Sequence, residues 1–234
     1  MYILAIETTG PLCSVALLEK NRILAVRSSK EQKNHLKDLM PLIRDMLDDA
    51  GEVKRPDYIA ASVGPGSFTG IRIGVATARA LAQVWKRPAV AVPTLDAFCR
   101  KPAAACGDFV ACGIINARRG QVYGIVDGFM EGRACMMTDV LDVIEKEVIT
   151  RGLKVRFFGD GINAYGDMIR ERLGEDDFRF TDESDRYQDA ASVGLLAFEK
   201  IEKGETVSAE ELLPDYMRKA EAQQKLEAGE LKIP

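Results

Sequence analysis

One histidine and one tryptophan stand in a sequence of 234 residues. A single imidazole, His35, excludes any metal site built on paired histidines, and with it the zinc chemistry of a His-Glu-x-x-His peptidase. Cysteines are few and odd in number, Cys13, Cys99, Cys106, Cys112 and Cys135, with no Cys-x-x-Cys pair. That pattern supports neither a disulfide framework nor a structural zinc site, and the five read as small core hydrophobes in a reducing cytoplasm. No run of eighteen apolar residues occurs, and the chain opens on the strand-like Tyr2-Ile3-Leu4-Ala5-Ile6 without a basic leader, so neither a membrane span nor an export signal is expected. Excess charge is missing too. With 32 basic and 36 acidic side chains the net charge is −4, which fits neither a polycationic nucleic-acid coat nor a disordered acidic tail. What is present is 47% apolar content, enough for a buried core, in a length that suits two domains of about 100 residues each.

The charge is unevenly spread. Residues 1–100 carry 14 Lys/Arg against 10 Asp/Glu, and residues 101–234 carry 18 against 26. So small a basic excess is weak support for direct RNA binding, and two ordinary solvated surfaces describe it.

Extended runs at 2–7, 13–18 and 22–28, separated by Thr8-Thr9-Gly10-Pro11-Leu12 and Glu19-Lys20-Asn21, predict an antiparallel meander. Apolar Leu36, Leu39, Met40, Ile43, Met46, Leu47 and Ala50 predict a helix over 34–50 with Gly51 at its C-terminal cap and Pro41 in its early turns or at a kink. A buried strand at 58–63, a glycine-rich loop, a helix over 70–85 and a strand at 88–92 complete the first half. The second half repeats this order: strands at 109–115, 122–127 and 133–137, a helix from a Thr138 cap to 148, an apolar strand from 155 ending in Gly159-Asp160-Gly161, and a helix over 163–173. Two copies of strand-strand-strand-helix-strand-helix imply a duplicated α/β unit with a cleft between its halves, lined by glycine turns at strand ends. The expected domains are 1–100 and 101–218, with an Asp189-capped helix over 189–200 free to pack back on the first, and a charged tail over 219–234.

Gly64-Pro65-Gly66-Ser67-Phe68-Thr69-Gly70-Ile71-Arg72-Ile73-Gly74 is the most informative stretch. Glycines between a buried strand and a helix let backbone amides approach an anion without interference from Cβ. Gly64, Gly66, Ser67 and Gly70 therefore form a candidate phosphate or nucleotide cradle, with Glu7, Thr8 and Thr9 of the turn after the first strand beside them. The loop lacks the Gly-Lys-Ser/Thr of a Walker A sequence and misses the dinucleotide spacing by one residue. The alternative, that Gly66 and Gly70 only permit a tight turn and close helix packing, stays open at this point.

These segments resemble a known family. Ala5-Ile6-Glu7-Thr8-Thr9, Asn34-His35-Leu36 with Leu39-Met40-Pro41-Leu42-Ile43, the glycine loop with Ala78-Arg79-Ala80-Leu81-Ala82, Ala117-Arg118-Arg119-Gly120-Gln121-Val122-Tyr123 and Leu213-Pro214-Asp215-Tyr216-Met217-Arg218 resemble the bacterial TsaB (YeaZ) family over nearly the whole chain. The resemblance implies two ribonuclease H-like domains of the actin-like ATPase superfamily (ASKHA) with a cleft between them. It implies a non-catalytic scaffold that activates the TsaD-containing complex, which adds threonylcarbamoyl to N6 of adenosine 37 in ANN-decoding tRNAs. The implied partners are TsaD, a catalytic paralogue, and TsaE, with a homodimer when the chain is alone and tRNA met only through the complex. No intrinsic cofactor is implied, ATP or ADP being confined to the partner interface. Two residues depart from the family pattern: Asn116 replaces the Asp that many members carry before Ala-Arg-Arg, and Glu7 replaces the commoner Asp.

The catalytic paralogue is similar in pattern but carries a metal-binding His-x3-His where this chain has Thr94 and Phe98, neither of which replaces imidazole. No catalytic residue and no metal ligand is therefore expected, and Glu7 reads as a vestige of a nucleotide-metal site. The partner surface implied is an intersubunit helical bundle. His35, Leu36, Leu39, Met40 and Ile43 would supply it from the first helix, and Ile73, Ala76, Thr77, Ala80 and Leu81 from the second, where Ala76, Ala78, Ala80 and Ala82 permit close helix approach. One amphipathic stripe cannot serve two faces, so about half of the Leu and Met positions are expected to turn inward. The competing reading is a stand-alone ATPase or phosphotransferase that relies on Glu7 and the glycine loop.

Overall fold

The computed structural model describes residues 1–217 apart from Lys33, Glu52, Lys54 and Cys106. The charged tail expected over 219–234 lies outside the described residues. The first half runs β1 (Tyr2–Glu7), β2 (Ser14–Glu19), β3 (Arg22–Ser28), α1 (His35–Asp49), β4 (Tyr58–Gly64), α2 (Phe68–Trp85) and β5 (Ala89–Pro93). Its sheet has the order β3-β2-β1-β4-β5, antiparallel through the meander and parallel from β1 to β4 to β5. After α3 (Thr94–Phe98) come β6 (Phe109–Asn116), β7 (Gln121–Val126), β8 (Met130–Met136), α4 (Met137–Val143), β9 (Lys154–Phe158), α5 (Gly161–Arg172), β10 (Phe178–Phe180), α6 (Glu183–Arg186) and α7 (Ala190–Glu202). The second sheet, β10-β9-β6-β7-β8, is the same order read from the opposite edge. Two five-stranded mixed sheets of this topology make the chain a duplicated α/β protein of the ribonuclease H-like, actin-like ATPase class.

β1 is buried on both faces, which is why its sequence is an unbroken apolar run rather than an alternation. Leu4 and Ile6 pack into the core beneath α1 and α2, while Ile3 and Ala5 pack against Val193, Leu196 and Ala197 of α7. A helix from late in the chain thus covers the second face of the first sheet. Cys13 lies one residue before β2 rather than within the strand; its thiol is buried and its pKa raised, chiefly by that burial.

Several boundaries differ from the sequence reading. α2 begins at Phe68, two residues before Gly70, because Ser67 Oγ accepts the Gly70 N–H at 3.2 Å and so caps the helix. α4 begins at Met137 with Thr138 inside its first turn; the cap comes instead from Asp139 Oδ2, which accepts the Met136 N–H at 3.1 Å. β10 and α6 have no counterpart in the sequence reading, since elements of three and four residues carry too little periodicity to register.

Candidate functional site

The turn after β1 and the glycine loop after β4 meet as elements, but they close on each other. Thr8 Oγ1 donates to the Gly70 carbonyl at 2.8 Å, and the Ser67 N–H donates to the Thr9 carbonyl at 2.9 Å. A β-carbon on Gly70 would collide with the Thr8 carbonyl oxygen, and one on Gly66 with Thr9. On the far side, the Asp215 N–H donates to the Val63 carbonyl at 2.8 Å, and the Asp215 carbonyl oxygen stands where a Gly64 β-carbon would be. The space opened by the missing side chains is filled by the chain's own backbone. The expected cradle of Glu7, Thr8, Thr9, Gly64, Gly66, Ser67 and Gly70 is therefore corrected at its enclosed members: Glu7, Thr8, Thr9, Gly64 and Gly70 are buried and, with Gly66, form a packing joint, while Ser67 stays exposed at the head of α2.

Glu7 is corrected for the same reason. It is wholly buried, with Thr9 N–H donating to one carboxylate oxygen and Ser62 Oγ to the other. Burial pushes its pKa above the ordinary carboxylate value, the charge of Asp189 adds to the rise, and the Ser62 and Thr9 hydrogen bonds oppose it. A carboxyl so enclosed is a structural group, sealed from any ligand. Thr94 and Phe98 are equally enclosed: Thr94 Oγ1 lies 3.4 Å from Thr9 Oγ1, and Phe98 stacks on Phe158 with centroids 6.2 Å apart. Among the described residues no cluster of three His, Cys, Asp or Glu side chains is arranged to hold a metal ion. At the second domain's strand ends, Asn116 Oδ1 accepts the Arg118 N–H at 2.8 Å and Asp160 Oδ1 accepts the Asn116 N–H at 2.9 Å.

The helix faces divide the expected partner residues. Leu36 and Met40 are 80% and 49% exposed on α1, and Ala76 and Ala80 are exposed on α2. Ile73, Thr77 and Leu81 are half-buried beside them. Leu39 and Ile43 are corrected to core residues, because they pack with Leu4, Ile6 and Ile71 beneath the sheet. His35 is corrected as well: it is buried, and its Nε2 donates to the Gly10 carbonyl at 3.0 Å, tying the start of α1 to the β1–β2 turn. Ala78 and Ala82 of the small-residue flank also turn inward.

Three features escaped the sequence reading. Val84 is strongly exposed on α2. Lys101, buried in the crossover after α3, pairs with Asp189 at the N-cap of α7. Arg72 lies over the Phe68 ring and beside that of Tyr216, the two rings being in contact with each other. Only the Phe68–Arg72 spacing of four on one helix was a visible signal; the other partners are far apart in sequence.

The sequence matches the family model TsaD: tRNA N6-adenosine threonylcarbamoyltransferase over residues 23–226. The tRNA threonylcarbamoyladenosine biosynthesis protein TsaB of Bacillus subtilis (strain 168) is 32% identical, covering 96% of this chain and 97% of its own. This chain belongs to the TsaB family. The TsaB of Escherichia coli (strain K12) is 29% identical over 98% of this chain and 100% of its own. YeaZ from Pseudomonas aeruginosa superposes with a TM-score of 0.69 at 30% identity, covering 92% of this chain and 99% of that one. As a TsaB-family member the chain shares the TsaD-like domain, yet holds Thr94 and Phe98 in closed packing. No helix among the described residues is long and apolar enough to cross a membrane.

Proposed function

We propose that this chain is a non-catalytic subunit in tRNA threonylcarbamoyladenosine biosynthesis, a cytoplasmic scaffold that binds a TsaD-type catalytic paralogue and holds it competent for transfer. The observation that carries this reading is a contrast on one domain. The glycine loop is filled by Thr8, Thr9 and Asp215, while the neighbouring helices expose Leu36, Met40, Ala76, Ala80 and Val84. Small exposed residues on α2 beside two exposed aliphatic side chains on α1 suit the close approach of partner helices. The same ridge would mediate self-association when the partner is absent. Nucleotide binds outside this chain's own glycine loop, at the partner interface or on the partner, and TsaE and tRNA are met in the assembled complex.

Reconstitution tests the reading. Purified alone with ATP, the chain is expected to show no turnover; added to TsaD, TsaE, ATP and threonylcarbamoyl-adenylate, it is expected to switch tRNA modification on. An unchanged rate on its omission, or ATP turnover by the chain alone, would overturn the reading; the second result would favour the stand-alone ATPase.

A further inference from the structure

Arg72 sits one turn into α2 with its guanidinium carbon 4.1 Å from the centroid of Phe68 and 5.8 Å from that of Tyr216. The two rings are 4.8 Å apart, and Arg72 Nε donates to Tyr216 Oη at 2.9 Å. Tyr216 is itself anchored, since Leu212 is fully buried in the first core and Asp215 bonds Val63. The guanidinium is therefore held at Nε and flanked by aromatic surface, while its two Nη groups have no acceptor and no carboxylate partner among the described residues. An arginine that only pinned the C-terminal segment would need no more than the Nε bond it already makes.

Its surroundings narrow the ligand. Phe68, Arg72, Ala76 and Ala80 follow one another at steps of four, so they form a single row on α2, and all four are exposed. Tyr216, in contact with Phe68, adds exposed apolar surface at its head. A lone cation in apolar surroundings suits a desolvated protein contact, where arginine beside aromatic rings is the commonest kind of anchor. An RNA backbone would call for a stripe of cations, and this row offers one.

We propose that Arg72 anchors an Asp or Glu carboxylate of the TsaD-type partner, received by its two Nη groups as a bidentate pair. This rests on the partner reading above. Phe68 and Tyr216 act as positioning residues: they hold the fork in place and shed water from around the pair when the surfaces meet.

The test measures affinity of the full chain for its own organism's TsaD-type paralogue by titration calorimetry, at low and high salt. Arg72→Ala is expected to weaken binding roughly tenfold or more, Arg72→Lys by nearly as much because the planar fork is lost, and Tyr216→Phe by about threefold. The salt dependence should flatten in Arg72→Ala. Arg72→Glu should lose binding and recover it when one acidic residue of the paralogue is changed to Lys, a readout that strap displacement alone would not produce. Thermal melting of each variant separates misfolding from lost contact, and the charge-swap rescue stands even if Arg72→Ala is unstable. Wild-type chain that fails to bind the paralogue overturns the partner reading and this inference together. Wild-type binding with folded Arg72 variants of unchanged affinity overturns this inference alone. Loss of tRNA binding by the isolated chain in Arg72→Ala, with paralogue affinity unchanged, also overturns it and assigns the fork to phosphate.

Discussion

Thr8 and Gly70 lock the β1 turn to the start of α2 from two directions. Thr8 Oγ1 donates to the Gly70 carbonyl at 2.8 Å, and the Thr8 carbonyl oxygen fills the place of a β-carbon on residue 70. Gly70→Ala gains up to about 1 kcal/mol of helix propensity, but the obstructing atom is backbone oxygen, held by β1 and unable to yield. Overpacking of this kind costs about 1–3 kcal/mol before the propensity gain, more where backbone must shift. The expected outcome is a net loss of roughly 2 kcal/mol, read as a lower urea midpoint at unchanged slope. A Gly70→Ala protein as stable as wild type would show that the loop is open, as a ligand cradle requires.

The position of that loop was legible in the sequence, and its content was not. Four glycines between an apolar run and a helix announce close approach to something. The atoms that approach come from Thr8, some sixty residues earlier, and Asp215, far later, and no local pattern joins them. The meander was readable because its strands are bounded by turn chemistry; the burial of β1 on both faces was not read, because the helix that covers its second face, α7, comes from late in the chain. α1 was ambiguous because its apolar residues form two stripes: Leu39, Ile43, Met46 and Leu47 face the core, while Leu36 and Met40, four apart, make a second row facing outward. Periodicity finds both stripes and ranks neither. His35 misled for a related reason, since a polar ring at a helix start looks exposed until its acceptor, Gly10, is known.

Glu7 makes a pH signature. Its carboxyl is held above the usual range by burial, with Asp189 adding to the effect, so the folded-state pKa exceeds the unfolded value of about 4.3. The stabilisation from the neutral carboxyl is fully present below that unfolded value and is lost as pH rises through the folded one. Glu7→Gln stays neutral throughout and retains an acceptor for Thr9 and a partner for Ser62. The variant should match wild type in melting temperature near pH 4 and exceed it by a few degrees at pH 8. Scanning calorimetry across that range checks this; a variant that melts lower only at high pH would reveal a carboxylate required in its charged form.

Lys101 and Asp189 should couple strongly. Lys101 is only 5% exposed, and Asp189 also caps α7 by accepting the Ser192 N–H at 2.8 Å. Removing one member of a buried pair strands the other and costs about 3–5 kcal/mol, whereas replacing both is far milder. Because the Asp189 side chain keeps 30% exposure, solvent screens the charge left behind: Lys101→Met alone should cost about 2 kcal/mol, and Lys101→Met with Asp189→Asn, which preserves the cap, about 1 kcal/mol. Chemical denaturation of the four proteins in the cycle gives the coupling. Strictly additive effects would mean that the pair does not join the crossover after α3 to the start of α7.

The two stripes of α1 allow stability and partner binding to be separated on a single helix. Leu36 lies 80% exposed and Leu39, three residues on, is 1% exposed. Leu39→Ala removes core contacts with the sheet and should cost about 2–5 kcal/mol. Leu36→Asp and Met40→Asp touch no core and should stay within about 0.5 kcal/mol of wild type, yet abolish association with the TsaD-type paralogue by burying an unpaired charge at the contact. Ala80→Arg sharpens the comparison, because a long side chain on an exposed small position leaves this fold intact while holding a second helix away from α2. Size-exclusion chromatography of mixtures, with urea titrations of each variant, reads both quantities. If Leu36→Asp and Ala80→Arg still co-elute with the paralogue, docking takes place on another face; if they unfold, the row is part of the core.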